Sequence, residues 1–583
     1  MSLRLTHSFR ISLTLTAIAL CLSSAWAQST QKPADDSDPN STKLGSIKGR
    51  VLADGQPVNN ASITASRVNS SGPPHYVPVN DAGDFELKGL EPGVYRVSPS
   101  APAYVVPTAD TSDETYFRVG DTLALRMIKG GVITGKVLSA NDDPVVGIRV
   151  GAIMIRDLNG KSPTSVSSYL DRFTDDRGIF RIFGLMPGAY LVSAGGRGSN
   201  SSAINTFDND APTYAPSSTR DTAAEIQVNS GEEKTADIHY RGDTGHAVSG
   251  NARAPATLNS PWINIYLQRL MDGAPDVRFS TYQGVAAKGF DFQGVADGEY
   301  LIWAQYSPAN DVFMSEPRRI SVKGADITGI DLVTSPVSTV GGEFALEPST
   351  LEACKEKRRP LLDETMVAIQ RNQKRGKDQP QILAFGSARA APDKNGKFLL
   401  RNLGPGQYNL EARFFARYWY LKSITGRVAP AGSKETPSSG DLVGNWLAVK
   451  AGAQITGVRV TLAEGAASLS GQIEAPKDQT LPPQLVVYLV PTEKEKSDDV
   501  LRFFVTRTDA YGSFELEHVP PGRYWLLPKV VPEDELTNNR SLRLPDAVEA
   551  RARLRRQAES AKSDIDLKPC QNLNDYKLPF RSN

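Results

Sequence analysis

The chain has 583 residues, with 66 Lys and Arg against 65 Asp and Glu, a balance that exerts no net pull toward nucleic acid or an anionic membrane surface. Its 48 Gly and 39 Pro favour turns and short strands over long helices. The length allows about three to five domains.

Residues 1–27 read as a secretory signal peptide. Arg4 and Arg10 make a basic start, Ile11 to Leu22 an apolar run, and Ala25-Trp26-Ala27 a small-x-small cleavage site. The run is short of the ~20 apolar residues a spanning helix needs, and no later stretch approaches that length, so no membrane span is expected. The chain is expected to be exported, to the periplasm or the cell surface, after cleavage near Ala27. Residues 28–44 are polar and carry little to bury, which predicts a disordered linker.

One phrase then recurs five times. Residues 83–95 read GDFELKGLEPGVY, 178–190 GIFRIFGLMPGAY, 290–300 FDFQGVADGEY, 396–408 GKFLLRNLGPGQY and 512–524 GSFELEHVPPGRY. Apolar residues alternate with polar ones after each Phe, as in a strand with one buried face. Pro-Gly is turn chemistry, and the Tyr opens a second strand, its hydroxyl reaching for a backbone partner at the sandwich edge. The third copy has Asp297 in place of the Pro, which predicts a less rigid turn.

A second phrase opens each unit: SIKGRVLADGQPV at 46–58, VITGKVLSANDDPV at 132–145, AVSGNARAP at 247–255, TVGGEFALEP at 339–348 and SLSGQIEAP at 468–476. Residues 226–240, 320–333 and 447–462 each show two alternating runs around a Gly, the pattern of a β-hairpin. The runs at 262–267, 366–370 and 485–490 supply middle strands. Six or seven short strands per ~105 residues fit an immunoglobulin-like antiparallel sandwich.

The fold class predicted is therefore all-β, a tandem array of sandwiches with one short C-terminal helix. The units expected are β-sandwich 1 at 45–130, 2 at 131–244, 3 at 245–336, 4 at 337–465 with a charged insertion, and 5 at 466–583. The charged insertion comprises residues 352–360 and 371–377. The fifth unit carries the helix, over 546–562 with Ala547, Ala550, Leu554 and Ala558 on one face, and the C-terminal tail.

The combination of G-x-V…P-V with D-x-x-G-x-F…P-G-x-Y resembles the carboxypeptidase regulatory-like domain. Asp81-Gly83-Phe85, Asp176-Gly178-Phe180, Asp393-Gly396-Phe398 and Asp509-Gly512-Phe514 carry the likeness. The resemblance implies a transthyretin-like sandwich, akin to collagen-adhesin B-type and carbohydrate-binding-like domains, in strung-out arrays of exported bacterial proteins. It implies fold and location rather than activity. A zinc peptidase of the kind this module accompanies needs His-x-x-Glu. His75, His239, His246 and His518 are followed three positions on by Pro78, Gly242, Ser249 and Pro521.

No enzyme activity, cofactor or metal is therefore expected. Arg241-Gly242-Asp243 is ordinary turn composition. The strand alternation points Lys48 outward, with Ile47 and Val51 inward. The candidate ligand platform is Arg417, Tyr418, Trp419 and Tyr420, because sugar rings stack on exposed aromatics and Arg contacts their hydroxyls. Cys354 and Cys570 are the two cysteines beyond the leader and the candidate disulfide. The function expected is a non-catalytic scaffold or binding protein of the cell envelope, its partner a polysaccharide or another envelope protein, with no nucleic acid. The alternatives are a dedicated carbohydrate-binding protein and an accessory to an extracytoplasmic hydrolase or peptidase.

Overall fold

The computed structural model describes residues 44–580 except 69–71, 108–115, 161–168, 197–205, 255–261, 271–275, 285–288, 308–311, 356, 372–386, 429–437, 444, 477–479, 510 and 532–547. The expected signal peptide and linker through residue 43, Ala547 and most of the 371–377 insertion lie outside the described residues.

The described residues form five β-sandwiches with one shared plan. Each opening strand (Gly45–Ala53, Gly131–Leu138, His246–Arg253, Ser338–Glu347, Ala467–Glu474) is the middle of a sheet. On one side it pairs antiparallel with the Phe strand of the repeated phrase, and on the other it pairs parallel with the closing strand of the unit. The second sheet holds the Tyr strand between a middle strand and a short later one. Apolar faces of the two sheets meet in five cores, each containing the Phe and Tyr of its phrase.

This plan shows which strands pair and corrects one expectation, the β-hairpin. The Phe strand Asp84–Leu90 belongs to one sheet and the Tyr strand Val94–Ser100 to the other, so the Pro-Gly turn arches across the sandwich. The two runs around Gly231 also part: Ile226–Val228 pairs with the Tyr strand and Glu233–Thr235 with the opening strand. The corresponding runs in units three and four part in the same way. Alternation with period two identifies a strand but not its partner, and in an aligned sandwich a short turn can cross between sheets.

The phrase tyrosines sit inside their sheets rather than at an edge, and they form five equivalent corners. Each hydroxyl donates to the carbonyl four residues earlier: Tyr95 to Glu91 at 2.9 Å, Tyr190 to Met186 at 2.7 Å, Tyr300 to Ala296 at 2.8 Å, Tyr408 to Gly404 at 2.9 Å and Tyr524 to Pro520 at 2.7 Å. The bond closes the arch and satisfies a carbonyl that the turn removes from any ladder. Burial pushes the phenols of Tyr95, Tyr190, Tyr408 and Tyr524 above their ordinary range.

A side-chain cap starts four of the Phe strands. Asp393 Oδ1 accepts from the amides of Asn395 and Lys397, both at 2.9 Å, and Asp509 Oδ1 from Tyr511 at 2.9 Å and Ser513 at 2.7 Å. In the first two copies the capping residues are Asn80 and Asp175, each one position before the Asp singled out in the sequence. The spacing to the positive-φ glycine, three residues in every case, selects the residue that can turn back to these amides. In the third copy the turn without Pro is fixed by its Asp: the Asp297 carboxylate accepts from Gly324 N at 2.8 Å and faces His246 Nε2 at 3.3 Å.

Helix Val548–Ala561 lies on the outer face of the fifth unit, with Leu554 and Ala558 against Val486, Tyr488, Val490, Phe503 and Leu527. It is inserted after the Tyr strand, the place where the five copies differ most. Unit two carries two short 3-10 turns there, Thr206–Asn209 and Arg220–Thr222, and unit four an extra pair of strands, Trp419–Val428 and Ser438–Asp441. Among the described residues no helix is long and apolar enough to cross a membrane.

Candidate functional site

The post-Tyr insertions do more than decorate the units: several mate one unit to the next. Short strand Tyr104–Val105 of unit one lies against the Phe strand of unit two, and 3-10 turn Thr206–Asn209 of unit two against the Phe strand of unit three. The same rule places the insertion of unit four on the Phe strand of unit five. Between units three and four the contact runs through Val337, which packs with Leu301, Trp303 and Met314.

The candidate platform residues lie in this last insertion. Trp419 is 1% exposed and belongs to the core of unit four, together with Leu421 and Ala416. Its carbonyl is met by His518 Nδ1 of unit five at 2.9 Å. Phe414 stands edge-on to the His518 ring, with centroids 4.7 Å apart. Arg417 reaches Glu515 at 3.6 Å and Glu517 at 3.5 Å. Lys357 Nζ covers the Tyr418 ring at 4.8 Å from its centroid, and Tyr420 is half-buried, its phenol pushed up by burial. The four residues are brought together at the junction of units four and five, with Trp419 buried and Lys357 over the Tyr418 ring.

His518 has φ +57°, and the equivalent positions are Gly89, Gly184, Gly294 and Asn402, all with positive φ. The fifth copy thus places an imidazole where the backbone favours Gly or Asn. Burial holds its pKa below the ordinary value, with Arg118 and Arg417 adding to the effect and Glu517 opposing it.

Arg118 belongs to unit one, and its proximity to His518 reflects an arrangement the sequence did not signal. Unit one docks on unit four. Val94 and Tyr116 pack with Met366, flanked by Val68 and Phe415. Arg389 lies over Tyr116 at 5.1 Å and Arg118 over Phe415 at 5.9 Å.

Four charged side chains are enclosed at this contact. Arg118, Asp121, Arg358 and Glu364 are 2%, 1%, 9% and 5% exposed. Arg358 Nη2 binds both Glu364 oxygens at 2.9 Å, Arg118 Nη1 stands 3.8 Å from Glu364 and Arg118 Nε 3.5 Å from Asp121. Two cations and two anions balance, which makes their burial tolerable. Burial nevertheless pushes the Glu364 carboxyl up, against the pull of both arginines. At the rim, Arg67 meets Asp363 at 3.4 Å. Contacts therefore run from unit one through two and three to four, and back to one.

A covalent link completes the junction. Cys354 of unit four and Cys570 of unit five are joined by a disulfide with Cα atoms 5.4 Å apart, spanning 216 residues of sequence. Among the described residues no group of three or more His, Cys, Asp or Glu side chains is placed to hold a metal ion. Arg241 and Asp243 pair with one another at 2.7 Å. Lys48 is outward, 3.2 Å from Glu86.

Residues 46–123 match the family model of the carboxypeptidase regulatory-like domain. That span is the first sandwich, and it carries the first copies of both phrases. No curated protein matches the chain. Among solved structures, the Bacillus anthracis TIE protein is 13% identical over 69% of this chain and 69% of that one, with a TM-score of 0.14. Two B repeat units of the collagen binding protein of Staphylococcus aureus are 10% identical over 72% of this chain and 100% of that one, with a TM-score of 0.13. GBS52, the minor pilin of Streptococcus agalactiae, is 12% identical over 35% and 96%, with a TM-score of 0.15. Likeness at this level says nothing about ligand or assembly.

Proposed function

We propose that this chain is a non-catalytic, exported scaffold whose five sandwiches are held in a set arrangement to present their variable loops to a polysaccharide or another envelope protein. The observation that supports this reading best is the investment in unit-to-unit contacts. Post-Tyr insertions, a buried four-residue ionic contact and a disulfide all join units. Loops on rigid sandwich cores vary freely and suit recognition. The leader composition supports export, and an oxidising destination suits a disulfide.

The test uses the purified mature chain on a glycan array and in a pull-down from envelope extract. The reading expects a saturable partner, protein or polysaccharide, and no turnover. Retention of free mono- and oligosaccharides, with neither intact envelope polysaccharide nor envelope protein retained, would replace it with a dedicated carbohydrate-binding protein. Saturable hydrolysis by the chain alone would overturn it.

A further inference from the structure

We propose that loop 349–365 of unit four is a redox-controlled clasp, which holds unit one and unit five through its two ends and releases unit one when the Cys354–Cys570 bond is reduced. The proposal goes beyond the scaffold reading, because it concerns how the arrangement opens and not what it binds.

The loop joins opening strand Ser338–Glu347 to middle strand Met366–Arg371. Its first turn, Glu352–Cys354, is tied covalently to Cys570 of unit five. Its last turn, Leu362–Glu364, supplies Asp363 to Arg67 and Glu364 to Arg118, both of unit one. Between these anchors Arg358 grips both oxygens of Glu364 at 2.9 Å, and Lys357 lies on Tyr418. Neither anchoring turn belongs to a sheet ladder, so the disulfide and these side chains tie the two turns to their neighbours.

The two anchors are coupled by their unequal tolerance of movement. An enclosed ionic contact is favourable only while its charges stay in register, since a displaced partner leaves a charge buried without compensation. The disulfide supplies that register by removing freedom from the loop. Reduction is a two-electron exchange with a dithiol: its thiolate attacks one sulfur, its second thiol displaces the mixed disulfide, and the reductant leaves as its own disulfide. Cys354 and Cys570 each gain a proton and become thiols. The freed loop then no longer positions Glu364 against Arg118.

Hydrogen–deuterium exchange on the full mature chain tests this, with and without dithiothreitol and with thiol content followed by mass. Reduction is expected to cut protection at Tyr116–Arg118 by about tenfold or more and to increase the radius of gyration. The double variant Cys354→Ser/Cys570→Ser is expected to behave so without reductant. Glu364→Gln in the oxidised chain is expected to deprotect Tyr116–Arg118 while Gly522–Val530 of unit five stays protected. Complete reduction with unchanged protection at 116–118 would overturn the proposal. So would loss of protection at 522–530 on reduction, which marks unfolding of unit five, or full protection at 116–118 in Glu364→Gln.

Discussion

Gly471 faces Phe514 directly across the antiparallel pair that opens the fifth sandwich. A methyl group placed on Gly471 would lie 3.0 Å from Phe514 Cζ and 2.2 Å from the Tyr576 carbonyl of the closing strand. The same pairing joins Gly49 to Phe85, Gly135 to Phe180, Gly250 to Phe290 and Gly342 to Phe398. The two phrases that recur in the sequence are thus one structural unit, an aromatic ring laid over a glycine between two strands.

Gly471→Ala is therefore expected to destabilise the fifth sandwich by about 1–3 kcal/mol through overpacking. The backbone carbonyl of Tyr576 cannot move aside without breaking the parallel ladder. Chemical denaturation followed by the protection of Ala467–Glu474 checks this; an unchanged midpoint would show that the strands part at little cost.

Tyr408→Phe keeps the ring and removes the hydroxyl that closes the fourth arch. A buried carbonyl at Gly404 then loses its donor, at an expected cost of about 1–2 kcal/mol. The corners also impose an alkaline limit. Their phenols ionise at higher pH when folded than when unfolded, so their contribution is full below the unfolded value of ~10 and is lost as pH rises through the raised value. Thermal scans from pH 8 to pH 11 should show a falling midpoint for the native chain, and a shallower fall in the fourth unit of the variant.

His518→Asn tests the acid side, since Asn already occupies the equivalent position at 402 in the same backbone conformation. The docked imidazole resists protonation while the unfolded one does not, so its stabilising contribution is present above ~6.5 and is lost as pH falls through the depressed value. The slope reaches at most ~1.4 kcal/mol per pH unit for one proton. Glu364 has the opposite sense, its carboxyl being raised. Melting between pH 5 and pH 7.5 should show a slope in the native chain that the variant flattens.

Arg118→Ala leaves Glu364 and Asp121 enclosed with one cation fewer. The docking of unit one on unit four is expected to weaken by about 3–5 kcal/mol, while the core of unit one is untouched. Loss of protection confined to Tyr116–Arg118, with Met366–Arg371 still protected inside its own sheet, would mark that outcome; unfolding of Gly45–Ala53 alongside would assign Arg118 to the fold of its own unit.

The tandem sandwich architecture and the core residues were legible in the sequence because alternation and turn chemistry are local signals, and Phe514 or Tyr524 declares its burial within a few residues. What the phrases pair with was not, since Gly471 and Phe514 are partners only once two further strands have been laid down between them. The burial of Trp419 was hidden for another reason: residues 414–418 of the aromatic run lie in a turn, and only at Trp419 does a strand begin, so alternation could not say which ring faces the core. The contact of Arg118 with Glu364 is beyond any periodic pattern, because it joins copies at non-equivalent positions.

The closing strand that runs parallel to each opening strand has a mechanical consequence. In unit one, Lys48 to Ala53 lies alongside Thr122 to Met127 in the same direction. The chain therefore enters a unit at one pole and leaves at the other. Tension on the two ends slides these strands past each other, loading their hydrogen bonds together instead of opening them one by one. Stretched singly in a force spectrometer, the chain is expected to yield first at the docking of unit one on unit four and to hold its sandwiches to much higher force.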